Sequence, residues 1–291
     1  MLKREEIDKI EKKALQHRKM NDLGIESPIG NKIFDIIENQ YDSFLLLYPL
    51  KSENIAGFTR KQGEFIQVFI NTSFDKGFQN FACAHELYHL IQFQEKEIDS
   101  FIVCSNKDIS ETLDEENMHQ EELKANYFAA TFLLPKEIVV ERFKKIEELY
   151  YSEEDFILEI IKLQYQYEVP FKTILKRLKE LEIINEIQYG KLKIYEDNII
   201  EYCKMMDEFV YNNIKTLESP DARKYHTLNV PKTAADVYKN NIISFSKLES
   251  IINKYDKKIT DFNINKPQIK PINIDFSSFG IGDDDDYDEE N

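Results

Sequence analysis

The chain has 291 residues, 42% of them hydrophobic, with 20 Phe and 16 Tyr supplying much of the bulk and no Trp. That is enough apolar material for one large or two ordinary domains, and the longest apolar runs, Phe44–Leu50 and Ala129–Leu134, fall far short of the about 18 residues that would suggest a membrane span. The net charge is −16, from 54 acidic and 38 basic residues, which argues against a protein that coats nucleic acid, since that task needs a basic face to release counterions.

The first residues, Met1 to Glu6, are charged and lack an apolar core segment, so no secretory signal is expected and the cytoplasm is the expected compartment. Three widely spaced cysteines, Cys83, Cys104 and Cys203, form no paired framework and fit reduced thiols. The last nine residues, Asp283 to Asn291, carry seven carboxylates, and without them the charge is still −9. An acidic chain of this kind leaves room for a protein partner with a basic surface.

In chain order, residues 4–20 are dense in Lys, Glu and Leu/Ile and predict an exposed helix. Ser27-Pro28-Ile29-Gly30 breaks it, and Asn31 to Tyr41 resumes at helical spacing through Ile33, Phe34, Ile36 and Ile37. Phe44–Tyr48 and Phe65–Ile70 read as strands, with Ile55–Thr59 as a third between them and Lys61 to Glu64 as a hairpin turn. Asp108–Asp114 reads as a loop. A helix from about Glu115 to Leu134 is ended by Pro135. Two amphipathic helices, Phe156–Tyr167 and Phe171–Leu181, are split by Val169-Pro170, and a strand over Ile187–Ile194 follows. Residues 196–216 look helical. After Pro220 the pattern weakens toward a loosely ordered, acidic tail.

The chemistry sits in Cys83 to Leu90, which reads H-E-x-x-H over His85, Glu86 and His89. On a helix, residues four apart are stacked one turn above the other, so both imidazoles can reach a single metal ion. Glu86, about 100° round from His85, flanks the pair and is placed to take a proton from a water. The surrounding Phe78, Phe81, Ala82, Ala84, Leu87, Tyr88, Leu90, Ile91 and Phe93 leave almost no polar face, and a helix apolar all round is a buried one. Three buried polar groups need partners, because leaving them unpaired costs roughly 2–7 kcal/mol each. A chance motif match is the competing reading; a metal satisfies all three groups. Cys83 lies on the opposite side of this helix and is expected to pack.

Catalytic zinc takes three protein ligands and leaves a fourth position for water. On the helix ending at Pro135, Glu122, Ala125, Asn126, Ala129 and Leu133 fall on one stripe. The two alanines let a neighbouring backbone approach, and a glutamate among them would otherwise be buried without a partner. Glu122 is the expected third ligand, with Glu121 as the fallback.

Two blocks carry a family resemblance. One is Val68-Phe69-Ile70-Asn71 followed by Phe81 to Ile91; the other is Glu122 to Pro135, similar to the pattern E-x-x-A-N-x-F-A-x-x-L-L-x-P. Together they make the segment from about Pro28 to Pro135 resemble the ImmA/IrrE family of metallopeptidases. Tyr88 stands where many members have Gly, and the Met often seen before the proline is missing; neither departure falls on an expected ligand.

The resemblance implies a zincin-like α+β fold, mainly helical with a small β-sheet. Added to the residue reading, it gives four segments: an N-terminal helix over 1–27, a zinc metallopeptidase core over 28–150, a helix-turn-helix-like region over 151–216 and a poorly patterned segment over 217–291. It also implies a zinc endopeptidase with His85, His89 and Glu122 on Zn2+ and Glu86 as base. The implied substrate and partner is a helix-turn-helix DNA-binding repressor of a mobile element or stress regulon. Tyr88, His119 and Tyr127 are candidate oxyanion donors. Two other functions compete: a non-catalytic zinc-containing module that binds such a repressor, which would have no use for Glu86, and direct DNA binding through residues 156–194, which the acidic balance opposes.

Overall fold

A computed structural model describes residues 2–267 apart from 42, 53, 97–99, 106–119, 149–151, 206–207, 227–228 and 256. The expected loop over Asp108–Asp114, His119 and the acidic tail therefore lie outside the described residues.

Along Phe44–Tyr48 (β1), Leu45 and Leu47 are buried while Phe44, Leu46 and Tyr48 keep some exposure. This is the two-residue period of a strand with one face on a core. Ile55–Gln62 (β2) and Phe65–Asn71 (β3) form an antiparallel hairpin with Gln62 opposite Phe65. The turn is Gly63-Glu64, with Gly63 at φ +60, a conformation that glycine adopts without a Cβ penalty. β1 runs parallel to β3, and Tyr225–His226 (β5) pairs antiparallel with β1. A strand that the sequence reading lacked, Ser100–Ser105 (β4), pairs antiparallel with β2. The sheet order is β4-β2-β3-β1-β5. The reason β4 escaped is visible: Phe101 and Val103 are exposed although apolar, so the run shows no alternation to read.

Beyond β3, Asn71 is fully buried and spends its amide on the chain around it. Its Oδ1 accepts from the Leu50 and Ser73 backbone N–H groups, and its Nδ2 donates to the Ser52 and Ile55 carbonyls. These bonds fix the loop that feeds Lys76–Lys96, a 21-residue helix. Asp75 caps that helix, its Oδ1 accepting from the Phe78 N–H at 2.7 Å.

Four helices complete this side of the sheet. They are Arg4–Met20 (α1), Lys32–Gln40 (α2), Lys76–Lys96 (α3) and Gln120–Leu133 (α4). Helix α1 is not the exposed helix expected from its charge. It packs along α4 with Ile10, Ala14, His17 and Arg18 buried. Arg18 donates to the carbonyls of Phe132, Gly24 and Ser27 at 2.5, 2.5 and 2.7 Å, which lets a guanidinium sit at 1% exposure.

Helix α5 (Lys136–Glu148) follows Pro135, and then come α6 (Glu153–Tyr167), α7 (Phe171–Glu180) and α8 (Glu186–Lys193). The last corrects the expected strand over Ile187–Ile194. Asn185 and Gln188 form a reciprocal capping box, each side chain accepting from the other's backbone N–H at 2.9 Å. Tyr189 and Leu192, three apart, are buried, whereas Ile187 and Ile194 are exposed. Helices α6 and α7 bury Ile160, Ile161, Ile174 and Leu178 in the same core as α3 and α4, so this region packs into the first unit. Helices α9 (Ile199–Lys204) and α10 (Glu208–Leu217) end it.

The chain divides into two units between Val230 and Pro231. The second holds most of α11 (Asn229–Lys239) and all of α12 (Phe245–Lys254), with its own small core of Ala234, Ala235, Leu248, Ile252 and Ile264. The described part of this weakly patterned region is thus organised. Among the described residues, no helix is long and apolar enough to cross a membrane.

Candidate metal centre

Helices α3 and α4 lie against each other, and their contact face carries the polar residues singled out above. His85 Nε2 and His89 Nε2 are 3.2 Å apart. Glu122 reaches both from α4, its Oε2 3.0 Å from His85 Nε2 and its Oε1 3.4 Å from His89 Nε2. Around a tetrahedral ion with bonds of about 2.0–2.1 Å, neighbouring donors are about 3.3 Å apart. The three separations bracket that value, with Glu122 offering a different oxygen to each histidine, so one ion could replace the contacts these groups make with each other. His85 and His89 are buried, and the Glu122 side chain keeps 12% exposure.

The hydrogen bonds behind the donors set their chemistry. His85 Nδ1 lies 2.9 Å from Asn126 Oδ1. A carbonyl oxygen can only accept, so Nδ1 carries the hydrogen and Nε2 turns its lone pair toward His89 and Glu122. Burial pushes the Glu122 carboxyl up, but its hydrogen bonds and charge interactions with the two histidines outweigh this and hold it well below the usual range. Burial likewise pushes His85 down, and Glu122 more than reverses it, leaving a raised pKa. For His89 burial wins and the pKa is lowered. An anionic carboxylate beside two nitrogen donors is a donor set suited to a divalent cation of the zinc type.

Glu86, one residue on from His85, lies between this trio and the sheet. It is fully buried. Thr59 on β2 donates to its Oε2 at 2.6 Å, while Oε1 has no hydrogen-bond partner among the described residues. Burial is the main cause that pushes the Glu86 carboxyl up to about 7. Gly57 on β2 makes the room: a Cβ there would meet the Phe69 carbonyl at 2.8 Å and Glu86 Oε1 at 3.0 Å.

Glu121, the fallback ligand, is turned elsewhere. It accepts from Tyr88 Oη at 3.3 Å and Lys124 Nζ at 3.0 Å. Tyr127 is likewise committed, its hydroxyl donating to Glu11 at 2.9 Å and its ring lying under the Arg177 guanidinium. Thr59, Gly57 and Asn126 received no role in the sequence reading. The signal for Asn126 was present, in the Ala125-Asn126 pair of the second block. Cys104 was read only as a reduced thiol; its Sγ lies within 4.8 Å of donor atoms of both His85 and Glu122.

Residues 40–179 match the family model described as the IrrE N-terminal-like domain of Peptidase_M78. No curated protein matches the chain. Among solved structures, a Mycobacterium tuberculosis transcriptional regulator aligns at 15% identity and a TM-score of 0.37, over 59% of this chain and 46% of that one, so the match spans less than half the regulator's length. With the His85–His89–Glu122 cluster lying inside it, the matched segment, residues 40–179, is a metallopeptidase-like domain of the ImmA/IrrE family.

Proposed function

We propose that the protein is a zinc-dependent endopeptidase whose metal is held by His85, His89 and Glu122 and whose general base is Glu86. The observation that carries this reading is the state of Glu86: buried beside the donor cluster, with one oxygen fixed by Thr59, the other without a hydrogen-bond partner among the described residues, and a pKa near neutrality. A structural metal site has no use for such a group. Zinc in that cluster would supply Lewis acidity, polarising a peptide carbonyl and lowering the pKa of the attacking water toward neutrality. Glu86 Oε1 takes the proton of that water and later delivers it to the leaving amine. Thr59 keeps the carboxylate from rotating, and Asn126 keeps His85 in the tautomer that offers Nε2.

The substrate we propose is a basic, DNA-binding helix-turn-helix repressor, and the setting is the cytoplasm. The family resemblance supports the repressor. The net charge, −9 even without the tail, supports a cationic partner through long-range steering. Residues 156–194 are less suited to DNA, because the apolar faces of α6 and α7 are spent on the core.

The test is to co-incubate the zinc-loaded protein with a repressor encoded beside it, using Glu86→Gln as control. Discrete fragments should appear with the wild type and fall by roughly 10²–10⁴-fold in Glu86→Gln, at unchanged zinc content. Equal cleavage by the two proteins would remove Glu86 from its role. Stable binding without cleavage would favour the non-catalytic module, a reading to which the nearby Cys104 thiol lends some support.

A further inference from the structure

We propose that Cys104 is a displaceable fourth ligand of this metal centre, closing it at rest; the inference rests on the zinc site proposed above. Three groups on three different elements, His85 on α3, Glu122 on α4 and Cys104 on β4, bring one donor atom each to within 4.8 Å of the others. Histidine, carboxylate and thiol are all zinc ligands. Around a tetrahedral ion with a metal–sulfur bond of about 2.3 Å, sulfur and nitrogen donors are about 3.6 Å apart. Toward the His85 and Glu122 donors, Sγ therefore has at most about 1.2 Å to close, a distance within reach of a side-chain rotation or a small shift of an edge strand; His89 does not belong to that group of three.

The strand is built for this placement. Among the described residues β4 is an outer strand of the sheet and pairs with β2 alone. The register slips between Ile55 and Gly57, so that Ser105 faces Ile55 and Cys104 faces Gly57, with Ala56 as the extra residue. Such a bulge re-aims the side chains next to it. Cys104 itself is fully buried, whereas Phe101 and Val103 on the same strand turn outward. Its partner Gly57 carries no side chain to stand between the thiol and Glu86. A Cβ at Gly57 would touch Glu86 Oε1, the buried oxygen without a hydrogen-bond partner among the described residues, so the glycine that faces Cys104 in the register is also the one that leaves room for that oxygen.

In the resting centre the S–H bond breaks, the proton leaves to bulk water and a sulfur–metal bond forms in the position otherwise taken by the attacking water. Glu86 then has no water to deprotonate, and the centre is latent. When a substrate carbonyl or a chelating ligand takes this position, the sulfur–metal bond breaks and the Cys104 thiolate takes up a proton, from bulk water in the first case and from the hydroxamic acid or bulk water in the second.

The test uses the full chain loaded with one equivalent of zinc or cobalt. Zinc-edge X-ray absorption of the wild type should show one sulfur at about 2.3 Å. Cobalt-loaded protein should show a thiolate-to-cobalt charge-transfer band, lost in Cys104→Ser and kept in Cys203→Ser, each still binding one equivalent. Saturation with a peptide hydroxamate should abolish the band without releasing cobalt. One bound metal with no sulfur neighbour in the wild type would overturn the proposal and leave the peptidase reading intact. Failure to bind any metal would overturn both. A band that survives the hydroxamate would show a fixed sulfur ligand, and so rule out displacement.

Discussion

Two half-buried carboxylates in the first unit meet opposite fates. Glu122 sits between His85 and His89 and is held ionised well below the usual range. Glu218 lies at the edge of a cavity of about 280 Å³ that is lined also by Asp75, Glu196 and Asn126. Burial first, and then the charge of Asp75, push Glu218 up to about 7. Desolvation is common to both, so the partners decide: two imidazoles in one case, two further carboxyls in the other. The difference separates a site prepared for a cation from an acidic pocket that copes by holding a proton. It also shows why acidic crowding is poor evidence for a metal, even with Asn126 lining both places.

The sharpest way to break the contrast is to remove the anion from the first site. Glu122→Ala should lower zinc affinity by at least about 100-fold, since losing even a supporting partner of a ligand costs roughly 10–100-fold. Competition titration against a chelator measures it. Unchanged affinity would take Glu122 out of the ligand set and point to Glu121. Asn126→Ala should follow with a loss of about 10–100-fold, because His85 then loses the acceptor that fixes its tautomer. The control is Asn126→Asp, which keeps an acceptor at that position and should restore binding. The smallest effect belongs to Glu218→Gln. Below about pH 4.5 this carboxyl is protonated in the folded and unfolded chain alike. Between there and about 7 the unfolded chain ionises while the folded one holds its proton, so the wild type loses stability as pH rises, and glutamine does not. The variant should gain on the order of 1 kcal/mol at pH 8 and nothing at pH 4. Paired thermal melts at the two pH values read it, and a gain of equal size at both would mean packing and not charge.

What the sequence disclosed follows from the range over which each signal acts. His85, Glu86 and His89 are read together because a helix places residues four apart on one face. Glu122 is read less directly, from a stripe with small neighbours. Both are local patterns on single helices. Thr59, Gly57 and Cys104 belong to strands, and their nearness to Glu86 depends on sheet register, on a bulge and on the packing of α3 over β2. No spacing within one segment encodes that. The same limit explains the elements that were misjudged. The apolar residues Ile187 and Ile194 suggested a strand, but the Asn185–Gln188 cap outweighs them. The lysines and glutamates of α1 hid the stripe of Ile10 and Ala14 beneath them.

The Arg18 bonds have a practical side for anyone who wants a smaller protein. Similarity begins at residue 40, yet α4, which supplies Glu122 and Asn126, has one flank sheltered by α1 and the carbonyl of Phe132 near its end held by the guanidinium. A fragment trimmed to the matched segment would expose that flank to water and leave the carbonyl without its donor. The trimmed chain should be sticky and prone to clump, because it would have lost a wall of its own core. Trimming from the other end at Val230 spares the sheet, both site helices and this wall. The autonomous piece therefore starts well upstream of the point at which relatives become recognisable.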